Sequence, residues 1–85
     1  MGIVNRLFLD TELRESTISY ERELSKGPRI ALALMKQNLN LAETEPMSLL
    51  LDVEARNMTR ARFTEDHREA AKAFVEKRAP VFRGC

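Results

Sequence analysis

Phe74 and Lys77 stand three positions apart near the end of the chain, the spacing that brings two side chains to one helix face. An aromatic ring and an ammonium so placed would act together on a flat ligand that carries phosphates. Spacing alone, however, favours a core phenylalanine beside a solvated lysine. The other chemistry-bearing residues form no constellation. General acid–base catalysis needs two carboxylates, or a carboxylate and a histidine, converging on a pocket. Glu43 and Glu45 fall instead at a helix start, where acidic residues complement the helix dipole. His67, the one histidine, also sits at a helix start, and Cys85, the one cysteine, ends the sequence on a segment expected to fray, so they give no nucleophile with a base. One His and one Cys do not make a closed zinc site, and the glycines at positions 2, 27 and 84 form no phosphate-cradling loop. The residues therefore predict no catalytic site and no metal.

The elements that would carry Phe74 and Lys77 follow from composition and periodicity. Eighty-five residues with 44% hydrophobic and 32% charged side chains fit a single globular domain, and a net charge of +1 offers nothing to recruit nucleic acid. No membrane segment is expected, because the longest uncharged apolar run, Ile30 to Met35, is six residues against the about 20 that cross a bilayer. The first ten residues show no secretory pattern, and Arg6 breaks a myristoylation motif. A lone cysteine is ordinary in a reducing cytoplasm, which is the expected location. A chain this short buries only about 60 to 65% of its unfolded surface, so help from another subunit is expected.

The fold class predicted is all-α: about four short helices behind an extended segment over 1–9, with a tail over 79–85. The first helix, near 11–26, carries Leu13, Thr17, Tyr20 and Leu24 with Asp10 as its cap, and Gly27-Pro28 ends it and starts the next. The second, near 28–41, is apolar all round at its beginning and turns Gln37, Asn38 and Asn40 outward. The third, near 45–61, takes Thr44 as cap and a stripe of Met47, Leu50, Leu51, Glu54 and Met58. Its Arg56, Arg60 and Arg62 read as a solvated end face rather than an anion site. The fourth, near 64–78, starts at Thr64 with Glu65 and Asp66 in its first turn, presents Ala70, Ala71, Phe74 and Val75 on one face, and is halted by Pro80. Gly2 to Leu9, rich in branched and aromatic residues, reads as a strand with nothing in the rest of the chain to pair with it, which points to a piece of something larger or to tight assembly with a partner.

The closing run Ala73-Phe-Val-Glu-Lys-Arg-Ala-Pro-Val-Phe-Arg-Gly84 resembles the A-F-x-E-K-R-x-P-x-F-x-G ending of enoyl-CoA hydratases and isomerases of the crotonase superfamily. Gly2-Ile-Val-Asn-Arg is similar to the G-[LI]-V-[ND]-x strand that leaves the catalytic domain in that family. Gly27-Pro28 with Ala31, Leu32 and Lys36 is similar to its G-P-x-x-A-x-x-x-x-K helix, and Leu51 to Ala55 to its L-x-x-E segment. Thr64-Glu65-Asp66 before Glu69-Ala-Ala-Lys-Ala-Phe74 resembles its S/T-x-D start and E-G/A-x-x-A-F. Each of these last four motifs is short, but together they occur in the family's order. The departures are Ala70, where glycine is commoner, and His67, where an aromatic is frequent.

The resemblance implies a C-terminal helical region that packs at a trimer-type interface of a homo-oligomer, closes over the acyl-CoA site and offers Phe74 and Lys77 to coenzyme A. It implies no cofactor beyond the coenzyme A thioester that is the substrate of the whole enzyme. The family's oxyanion hole and catalytic carboxylates belong to a preceding domain, so the chain alone is expected to be inactive. The competing reading from the residues alone is a freestanding helical protein-interaction module unrelated to coenzyme A.

Overall fold

Prolines and short polar turns divide the chain into four helices. The computed structural model describes residues 2–85 and contains α1 Leu13–Ser25, α2 Arg29–Ala42, α3 Met47–Arg62 and α4 Glu65–Val75, with no strand among the described residues. The all-α expectation holds. The strand expected over Gly2 to Leu9 does not form, since an isolated strand has no ladder to satisfy its backbone. That segment instead lies against α1 through Arg6, whose guanidinium sits 4.2 Å from the centre of the Tyr20 ring and 3.8 Å from the Glu23 carboxylate.

Three helix starts differ in how they are capped. Glu12, not Asp10, occupies the N-cap of α1, because a turn closed by Glu12 N–H to Leu9 C=O at 2.9 Å draws Asp10 away from the helix. Pro28 and Pro46 are themselves the N-caps of α2 and α3 (φ −71° and −67°, ψ 98° and 151°). Their carbonyls accept the first intrahelical bonds, from Leu32 at 3.0 Å and Leu50 at 3.1 Å. Thr44, expected to cap α3, lies two residues before that cap in the turn after α2, its N–H bonded to Leu41 C=O. Proline supplies the fixed φ that a capping side chain would otherwise have to enforce.

The core sits between α2 and α3, and α4 joins it through α3. Leu34 of α2 is buried, at 8% exposure, and on α3 the inward row is Leu50, Val53, Asn57 and Ala61, spaced i, i+3, i+7 and i+11. This corrects the stripe read from hydrophobicity, since Met47, Leu51 and Met58 are exposed. The reason is Asn57. Its amide nitrogen donates to Asn38 Oδ1 at 2.7 Å and to Gln37 Oε1 at 3.2 Å, so a polar side chain at 6% exposure is satisfied inside the interface. Asn38 is therefore half-buried against α3 rather than turned outward, while Gln37 and Asn40 are exposed as expected.

Much apolar surface remains uncovered. Leu13 and Leu24 of the expected α1 stripe are half exposed and no residue of α1 is buried. The accessible surface is 7611 Å², whereas a compact monomer of this mass exposes about 5200 Å². The radius of gyration is 16.1 Å, against about 12 Å for a compact chain of this length. Both figures describe an open arrangement whose apolar faces outnumber the partners the chain itself supplies.

Candidate functional site

The chemistry of the closing run converges on α4 and the segment that follows it. Thr64 starts the helix as the sequence predicts: its hydroxyl accepts from His67 N–H at 3.1 Å and donates to Ala61 C=O at 2.7 Å. The inward face of α4 is Asp66, Glu69, Ala70 and Ala73. Phe74 and Val75 point to solvent, at 85% and 79% exposure, which overturns the core phenylalanine that spacing alone favours. A hydrophobicity count places the large apolar residues inside; the carboxylates win because the following segment brings them backbone N–H groups.

Asp66, at 3% exposure, is the centre of that arrangement. Its carboxylate accepts from Arg83 N–H at 2.7 Å and from Gly84 N–H at 2.8 Å, and its own N–H donates to Cys85 C=O at 2.9 Å. Two successive N–H groups aimed at one carboxylate form an anion nest. Gly84 adopts φ +79°, and a Cβ there would land on the guanidinium of Arg29, whose Nη2 donates to Arg83 C=O at 3.2 Å. Cys85 is thus a free, exposed thiol on a docked segment rather than a frayed one.

One turn further along α4, Glu69 accepts from Val81 N–H at 3.0 Å and from both terminal nitrogens of Arg78, Nη2 lying 3.0 Å from Oε2. Arg78 Nε also meets Glu76 Oε2 at 2.6 Å. The Arg78 hydrogen bonds, then the Val81 N–H, hold the Glu69 carboxyl well down, at about 2. The bonds to Glu69 and Glu76 push Arg78 still higher than its ordinary value.

The helix ends before Pro80 can act. Arg78 N–H bonds to Ala73 C=O at 3.0 Å and Lys77 N–H to Phe74 C=O at 3.2 Å, the 6→1 and 5→2 pair of a Schellman motif. Lys77 takes the left-handed position, φ +54°, where glycine is usual. Phe74 and Lys77 are therefore brought to one end of α4 and joined through the backbone, both exposed, but not on one face of a continuous helix as the spacing suggests. Glu43 and Glu45 are exposed in the α2–α3 turn, and among the described residues no three of His, Cys, Asp and Glu gather as a metal site. Asp66, Glu69 and Arg78 escape a reading of the sequence for chemistry, because Asp66 and Glu69 are held by backbone N–H groups 12 to 18 positions away and Arg78 by the Glu69 side chain nine positions back.

A profile described as enoyl-CoA hydratase/isomerase matches residues 1–85. The chain is similar to 1,2-epoxyphenylacetyl-CoA isomerase of Escherichia coli (strain K12), with 34% identity over 98% of this chain and 32% of that protein. It is similar to methylmalonyl-CoA decarboxylase of the same organism, with 33% identity over 99% of this chain and 33% of that protein. Among solved structures, enoyl-CoA hydratase subunit I from Geobacillus kaustophilus HTA426 matches at TM-score 0.89 and 34% identity, over 99% of this chain and 33% of that one. The chain spans about a third of the length of the relatives it matches.

Proposed function

The chain belongs to the enoyl-CoA hydratase/isomerase family, and from that membership we propose that it serves as the C-terminal helical region of an acyl-CoA-processing protein. Its work is to associate subunits and to close the acyl-CoA site, with the oxyanion-stabilising and proton-transferring groups supplied by another part of the protein. The observation that carries this reading is the uncovered surface, a total of 7611 Å² against about 5200 Å² for a compact monomer, with large apolar side chains exposed on it. Exposed side chains such as Leu7, Leu13, Leu39 and Phe63 need a protein surface to cover them.

The ligand class is supported by the diversity of the relatives. Proteins named for isomerising 1,2-epoxyphenylacetyl-CoA, decarboxylating methylmalonyl-CoA and dehydrating carnitinyl-CoA share this segment at 30 to 34% identity. What those names have in common is the coenzyme A thioester, not the reaction, so the segment answers to the shared part of the ligand. Within it, Phe74 offers an exposed ring and Lys77 an exposed ammonium at one helix end. Lys77 also holds a left-handed backbone that glycine would adopt without strain; such positions gather where the side chain has a use.

Sedimentation and dye binding test the association, and an absorbance assay with an enoyl-CoA tests the division of labour. The purified chain should sediment above 9.8 kDa or bind a hydrophobic dye strongly, and should hydrate an enoyl-CoA no faster than buffer. A compact monomer that binds no dye would remove the association role. Hydration that survives repurification would show that the chain carries catalytic groups of its own.

A further inference from the structure

The segment after Lys77 runs back along α4, and its attachments to Glu65–Val75 fall on one row of that helix. Arg78 N–H meets Ala73, the Arg78 guanidinium and Val81 N–H meet Glu69, and the N–H groups of Arg83 and Gly84 meet Asp66. Ala73, Glu69 and Asp66 are spaced at helical intervals, so the segment retraces the helix from its end to its start. At the far end Cys85 C=O takes Asp66 N–H, and Arg29 reaches across from α2 to Arg83 C=O.

We propose that residues 78–85 form a strap that closes and opens along α4 as one unit, with Arg78 as its latch and Lys77 as its pivot. Arg78 is placed for this role because its guanidinium ties the start of the strap to Glu69 inside the helix and to Glu76 at its cap, while Nη1 lies 3.2 Å from the C=O of its neighbour Ala79. With the guanidinium gone, the first side-chain anchor beyond the pivot is the single Val81 N–H bond to Glu69. The nest at Asp66 then has to close a longer free loop, which costs chain entropy. Lys77 adjoins the latch, so its backbone reorients whenever the strap leaves. This goes beyond the proposed function and stands whether or not Lys77 meets a ligand.

Amide hydrogen exchange on the whole chain, read by NMR, tests the unit. In Arg78→Gln the amides of Arg83, Gly84 and Asp66, none of which touches Arg78, should exchange faster together with Val81, by roughly tenfold or more. Leu50 and Val53 in the α2–α3 core should be unchanged. If only Val81 responds while Arg83 and Gly84 keep their protection, the strap is not a unit and the proposal falls. Should Arg78→Gln also expose the α2–α3 amides, Arg78→Lys and Glu69→Gln decide on the same three amides. The first keeps the cation without the fork, the second keeps Arg78 without its partner charge, and unaltered exchange in both overturns the latch.

Discussion

Lys77 occupies the C′ position of α4 at φ +54°, the sole non-glycine residue with a positive φ among the described residues. The left-handed region costs an L-residue about 1 to 2 kcal/mol through crowding of Cβ against the following carbonyl. Glycine escapes that cost but loses more chain entropy on folding, by about 0.5 to 1 kcal/mol. Lys77→Gly should therefore stabilise the chain by a net of about 0.5 to 1 kcal/mol, whereas Lys77→Ala, which keeps Cβ, should give no gain. With a urea slope of about 1 kcal/mol per M for so small a protein, the unfolding midpoint should rise by about 0.5 to 1 M, measured at fixed chain concentration because association shifts apparent stability. Equal midpoints for the two variants, or a loss in Lys77→Gly, would refute the Schellman geometry. The proposed ligand role separates from stability in the same pair. In an assembled enzyme carrying this region, both variants should bind coenzyme A more weakly, by roughly tenfold, with the difference shrinking in high salt.

Thr64→Ala removes the α4 cap, whose hydroxyl accepts from His67 N–H, and should lower stability by about 1 kcal/mol, while Thr64→Ser should restore most of it in the same denaturation series. Asn57→Ala strips two hydrogen bonds from the α2–α3 interface and should cost about 1 to 2 kcal/mol; a neutral result would mean the amide cluster does not hold the two helices in register. Glu69, whose carboxyl is held at about 2 against an ordinary 4.5, has a depressed folded value. Its stabilisation is therefore complete above pH 4.5 and is lost as pH falls through about 2. An NMR titration of the Glu69 side chain should find its midpoint near the lower value, and a midpoint near the higher one would show that Arg78 is not bonded to it.

Local signals in the sequence were sufficient for the four helices. Gly27-Pro28, Pro46 and Thr64 break the chain because proline's fixed φ and a hydroxyl cap act within one turn of themselves. The ordered motifs from Gly27-Pro28 to the E-K-R run were likewise enough to indicate the family that the match over residues 1–85 establishes. Which face of each helix turns inward was not decided locally. Hydrophobicity placed Met58 and Phe74 inside, but Asn57 and Asp66 took the buried positions once Asn38 on α2 and the N–H groups of Arg83 and Gly84 were brought to them. Burying a polar group is unfavourable until its partner arrives, and these partners lie 17 to 19 residues away in sequence. Tertiary structure likewise turned the tail from a fraying end into a strap and set Lys77 in the left-handed region, because both depend on the path the chain takes after leaving α4.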